Sequence, residues 1–75
     1  MTTARLWFVR DTPLARRYCK VPKSRNPGED TNENENFIWL PKSQIENTTK
    51  WPAIDDEWAV HQVKIPDWLA EDKEI

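Results

Sequence analysis

The chain has 75 residues, 11 Lys and Arg against 13 Asp and Glu, five tryptophans, six prolines, one glycine, one cysteine and one histidine. So short a chain buries only about 60% of the surface its unfolded form exposes, which implies one domain, residues 1–75, with a small core. A lone Cys19 excludes an internal disulfide and a cysteine zinc site. The charge is also uneven. Residues 1–26 carry seven basic side chains and the single acid Asp11, a net of +6, and residues 27–75 carry four lysines and twelve acids, a net of −8. Such separation shapes long-range attraction and the choice of partner rather than the fold.

No apolar run approaches the roughly 18 residues of a membrane span, and the N-terminus has no signal-like stretch. With no disulfide, these features point to a cytoplasmic protein with no membrane partner. Trp7, Trp39, Trp51, Trp58 and Trp68 bring large rings, each able to bury roughly 150–250 Å² in place of missing aliphatic volume. The prolines cut the chain into strand-length segments.

Thr3 to Arg10 is aromatic and β-branched and reads as a first strand. Ala15 to Val21 reads as a second, with Ala15, Arg17, Cys19 and Val21 on one face and Arg16, Tyr18 and Lys20 on the other. Residues 23–35 contain no apolar side chain and include Pro27-Gly28, which predicts a long flexible hairpin loop. Asn36 to Leu40 is a third strand, ended by Pro41. Ser43 and Glu46 have capping-box spacing for a single helical turn, after which Ile45 faces the interior. Trp58 to Ile65 gives a further strand, with His61, Val63 and Ile65 opposing Val60, Gln62 and Lys64. Residues 66–75 predict a short C-terminal helix, opened by Pro66 and Asp67 and docked on the sheet through Trp68 and Leu69.

The expected fold is mainly β (α+β): a small antiparallel SH3-like or OB-like barrel of four to five strands with a short C-terminal helix. Its core would comprise Leu6, Ile38, Trp39, Ile45, Val63, Trp68 and Leu69. Trp39-Leu40-Pro41-Lys42-Ser43-Gln44-Ile45-Glu46, with Ile65-Pro66-Asp67-Trp68-Leu69-Ala70-Glu71, resembles a group of short uncharacterised proteins from phages and bacteria. Those pair a WLPKSQI-like strand and turn with a terminal VPEWLAEKKGL-like helix. Thr12-x-x-Ala15 matches their usual lead-in, and the resemblance covers most of residues 12–75. The 23–35 loop departs from their short hairpin, and Lys73-Glu74-Ile75 replaces their final Lys-Gly-Leu. The resemblance implies the fold and a mobile-element origin in a bacterial host; it carries over no functional residue.

Catalytic patterns are missing from the sequence. His61 has no second ligand and no nucleophile beside it in sequence. Ser24 and Ser43 fall in turns without a base, and Asp55-Asp56-Glu57 reads as a solvated acidic loop rather than a metal site. Cys19 lies among Arg16, Arg17 and Lys20, which would favour a thiolate, but alternates with Ala15 and Val21 as a buried residue does. One glycine cannot build a phosphate loop. The expectation is a non-enzymatic protein without cofactor or metal.

Binding remains. Arg5, Arg10, Arg16, Arg17, Lys20, Lys23 and Arg25 fall on two neighbouring strands and the start of the loop, beside Trp7 and Tyr18. Basic residues interleaved with aromatics are the footprint of single-stranded nucleic-acid binders, so this strand pair is the candidate contact with nucleic acid or a nucleoprotein. The overall acidity (pI about 5.3) opposes that reading. The alternative is an inhibitor of a host defence protein, anti-CRISPR-like, acting through an acidic surface: Glu29, Asp30, Glu33 and Glu35 in the loop, or Asp55, Asp56 and Glu57.

Overall fold

Strand-forming sequence between prolines produces five strands in the structure, a computed structural model that describes residues 1–25, 28 and 34–75. In chain order these are β1 (Thr2–Asp11), β2 (Ala15–Cys19), β3 (Phe37–Pro41), β4 (Thr48–Trp51) and β5 (Val60–Ile65), followed by the helix α1 (Asp67–Asp72). Every neighbouring pair is antiparallel, in the order β3-β2-β1-β5-β4. The mainly β fold with a terminal helix is as expected. Closure into a barrel is not seen: the sheet is open, with β3 and β4 at its edges.

The sheet nevertheless curls strongly. Three strand spacings of about 4.8 Å would separate β2 from β4 in a flat sheet, yet Nη1 of Arg16 in β2 donates to Oγ1 of Thr48 in β4 at 3.2 Å. The link from β3 to β4 crosses between the two edges. The Lys42 N–H bonds the Leu14 carbonyl, the Glu46 N–H bonds the Lys64 carbonyl and the Lys64 N–H bonds the Asn47 carbonyl. A 3-10 turn at Lys42–Gln44 starts that link. It corrects one detail of the expectation: Pro41 occupies the cap position and no side chain caps the turn, so Ser43 and Glu46 form no capping box.

The β1–β2 hairpin is locked by Thr12. Its N–H bonds the Ala15 carbonyl (3.0 Å), its Oγ1 donates to the same oxygen (2.8 Å), and the Ala15 N–H returns to Oγ1 (3.1 Å). Thr-x-x-Ala is thus a side-chain-supported tight turn. Of the 23–35 segment, Lys23–Arg25 form a 3-10 turn. The flexible hairpin loop expected there falls mostly outside the described residues.

The concave face holds the core: Ala4, Leu6, Tyr18, Ile38, Leu40, Val63, Ile65, Leu69 and Ala70, with Phe8 and Ile45 packed against it. Each large aliphatic side chain contributes about 1.5–3 kcal/mol by leaving water. Two expected core residues belong elsewhere. Trp68 is 60% exposed, because α1 turns Leu69 and Ala70 to the sheet and the neighbouring position points outward. Trp39 is half-buried on the opposite face of the sheet, since the β3 alternation gives the core to Ile38 and Leu40. The helix is anchored at its start by Oγ1 of Thr2, which donates to Asp67 at 2.7 Å and holds that carboxyl below its usual range. At its end, Nζ of Lys20 donates to the Lys73 carbonyl at 3.2 Å. No helix among the described residues is long and apolar enough to cross a membrane.

Candidate binding face

Strand register decides which side chains share the convex face. Trp7 pairs with Cys19 and with Val60, Cys19 with Phe37, and Val60 with Trp51. Arg5 pairs with Gln62, and Arg17 pairs with both Arg10 and Trp39. A register irregularity between Phe8 and Arg10 places Arg10 on the same side as Arg17. Trp58, just before β5, packs edge-on against Phe37, with ring centroids 5.6 Å apart at 74°. Trp7, Trp39, Trp51 and Trp58 therefore gather on the face opposite the core, interleaved with Arg5, Arg10 and Arg17.

Two arginine–aromatic stacks organise this face. The Arg17 guanidinium lies between Phe37 and Trp39, at 5.5 and 5.0 Å from the ring centroids, and the residue is only 4% exposed. Ring faces supply the electron density that compensates part of the lost hydration of a buried guanidinium. Arg17 thus fixes the rings beside it and is not an open phosphate contact. The second stack is exposed. The Arg5 guanidinium sits 5.5 Å from the ring centroid of Trp51, itself 41% exposed, while Nε of Arg5 donates to Oε1 of Gln62 at 3.1 Å. Beside it runs a mainly apolar groove of about 300 Å³ lined by Arg5, Trp51, Pro52, Ile54, Trp58 and Val60, with Glu57 at its rim.

The β4–β5 loop that forms one groove wall is pinned by Glu57. Its carboxylate accepts the backbone N–H of Lys23, Ser24 and Trp58 and the Ser24 hydroxyl. Partial desolvation pushes the carboxyl upward, and these hydrogen bonds outweigh it, so its pKa lies below the usual range. Asp55 adopts φ 55°, the left-handed conformation that aspartate tolerates better than most residues. Ile54, next to it, is 71% exposed.

The structure separates the residues expected to bind nucleic acid. Arg5, Arg10 and Arg17 reach the convex face. Arg16 and Tyr18 occupy the concave one, and Tyr18 is fully buried, so its ring is not available to stack on a base. Lys20 is tied to the end of α1, and Lys23 and Arg25 are exposed on the 3-10 turn. In the acidic alternative, Glu29, Asp30 and Glu33 lie outside the described residues. Glu35, Asp55 and Asp56 are exposed, and Glu57 is committed to the Lys23 turn.

Sequence reasoning missed Trp39, Trp51 and Trp58 as surface groups and missed β4 altogether. The Phe37/Trp39 alternation and the β-branched Thr48-Thr49 before Trp51 were the available signals. No reactive pairing emerges among the candidates. Cys19 is fully buried, Ser24 faces Glu57, and no group of three or more metal-ligating side chains forms among the described residues. Comparison of the chain with family models, curated proteins and solved structures gives no match.

Proposed function

We propose that this chain is a non-catalytic binding module of phage or mobile-element type, with an SH3-like curl to its sheet, that contacts single-stranded nucleic acid or a nucleoprotein through its convex face. The observation that carries this reading is the gathering of four tryptophans with Arg5, Arg10 and Arg17 on the face not used by the core. Base stacking on exposed rings contributes about 1–3 kcal/mol per base and tolerates sequence. Trp51, with Arg5 over it, is the most open of these platforms, and Trp7 and Trp58 extend the surface toward Arg10. The proposed face therefore shifts from the whole basic strand pair to the convex half of it.

Tryptophan fluorescence during titration with a single-stranded oligonucleotide tests the reading. Quenching that is lost in Trp51→Ala, with affinity falling steeply as salt rises, is the expected result. Absence of any quenching at low salt rejects it.

A second reading rests on a separate observation: Ile54 and Trp51 form an exposed apolar tip flanked by exposed Asp55 and Asp56. An apolar centre with an acidic rim suits a protein partner whose own surface is basic, as a nucleic-acid-binding groove is. This is the inhibitor reading. It predicts no oligonucleotide binding, together with a host protein captured by the native chain and released by Ile54→Asp.

A further inference from the structure

On the concave side, beyond the end of the core, the sheet opens into a cavity of about 380 Å³ lined by Phe8, Asp11, Arg16, Lys50 and His61. Register places these groups together. Lys50 pairs with His61 across β4 and β5, and Arg16 pairs with Asp11 across β1 and β2. Asp11 is already satisfied: Nζ of Lys42 lies 2.9 Å from its carboxylate and Nε of Arg16 lies 3.8 Å away, and the lysine hydrogen bond leads the effects that hold its pKa low. Lys50 has no acidic partner within ion-pair distance among the described residues, and it is exposed at the cavity mouth.

His61 supplies a second, independent observation. The residue is only 5% exposed, and its ring is fixed by stacking on Phe8 at 4.6 Å and 9°. Its Nδ1 meets the Tyr18 hydroxyl at 2.8 Å. Burial raises the Tyr18 pKa, and the nearby Arg16 guanidinium opposes that rise. A phenol can donate or accept, so with its O–H pointing to Nδ1 the imidazole proton resides on Nε2. Nε2 makes no hydrogen bond among the described residues, although buried polar groups are almost always paired. It belongs to a residue that lines the cavity.

We propose that this cavity is a phosphate-binding site, in which His61 carries its proton on Nε2 and donates it to the oxyanion, which is held by the charges of Arg16 and Lys50. The three groups offer complementary chemistry. His61 gives one fixed neutral donor, Arg16 a planar fork already oriented by Thr48, and Lys50 a mobile point charge at the entrance. Phe8 covers one side and excludes water from the imidazole. The site does not rest on the convex face, because it opens on the opposite side of the sheet, and the two fail or succeed by different readouts.

Nitrogen-resolved NMR of the His61 ring during titration with inorganic phosphate, against chloride at equal ionic strength, tests the assignment. A saturating shift of Nε2 with phosphate alone is expected, together with a rise in the His61 pKa from about 4, because a bound anion favours the imidazolium. Lys50→Met keeps the exposed strand position and should weaken phosphate binding about tenfold, equivalent to about 1.4 kcal/mol. Phosphate shifts no larger than those of chloride, or equal affinity in Lys50→Met and Arg16→Gln, overturn the proposal. Parallel titrations with a phosphomonoester and with a 5′-hydroxyl oligonucleotide identify the source. Tighter binding of the monoester assigns a small or terminal phosphate, and tighter binding of the oligonucleotide assigns a backbone phosphate.

Discussion

The Tyr18 hydroxyl and Nδ1 of His61 share a hydrogen bond of 2.8 Å, joining β2 to β5 over the intervening β1. Both residues are buried, and Phe8 completes the cluster, stacked on the imidazole and edge-on to the phenol at 5.8 Å. This buried polar pair makes the fold sensitive to acid.

Burial, reinforced by the charges of Lys50 and Arg16, pushes the His61 pKa down to about 4. An unfolded histidine titrates near 6.5. Between these values the unfolded chain binds the extra proton, so stability is full above about pH 6.5 and falls as pH drops toward about 4. The loss across that window is on the order of 2–3 kcal/mol, from about 1.36 kcal/mol per unit. Urea midpoints measured from pH 7.5 to pH 4 will show it, and His61→Phe will flatten the slope in that interval.

Tyr18→Phe removes the hydroxyl and leaves Nδ1 of His61 without its hydrogen-bond partner. A net cost of about 1–3 kcal/mol is expected in chemical denaturation, because a buried polar group goes unpaired. A cost near zero would show that the phenol contributes only its ring.

Arg17 is sandwiched between Phe37 and Trp39. Arg17→Lys keeps the charge and loses the flat guanidinium, so about 1–2 kcal/mol of stability should disappear. Tryptophan emission should shift to longer wavelength as Trp39 becomes wetter.

In α1 the two adjacent residues Trp68 and Leu69 should respond oppositely to size. Leu69→Ala opens a core cavity and is expected to cost about 2–5 kcal/mol. Trp68→Ala, at an exposed position, should stay within about 0.5 kcal/mol of the parent. Thermal denaturation of both variants separates this arrangement from one in which the indole is the docking group.

Glu57 should report on the link between the Lys23 turn and the β4–β5 loop. Its carboxyl is held below the ordinary range, so the clamp is intact above that range and is released as pH falls through the lowered value. In Glu57→Gln the amides of Lys23 and Ser24 should exchange with solvent faster, with the core amides unchanged.

Several features were legible in the sequence for local reasons. Proline spacing set segment lengths, β-branched and aromatic runs marked β1 and β3, and the alternation of His61, Val63 and Ile65 chose the core face of β5. Thr12-x-x-Ala15 was visible only as a lead-in to β2, and the structure shows the turn it closes. The four residues of β4 carry little periodicity, and that strand forms because β5 offers it a partner.

Composition and order along the chain determined that there would be a small β-rich fold with a thin core and a charge split. The tertiary structure decided which side of the sheet Trp7 and Trp39 face, since β1 and β3 carry large apolar side chains on both faces and alternation there does not choose the covered one. Trp39 and Trp68 lost the core to Ile38, Leu40, Leu69 and Ala70 once the sheet curled and α1 docked. The meeting of Arg16, Lys50 and His61 likewise required strands distant in sequence to bend toward one another, which pair spacing along the chain does not encode.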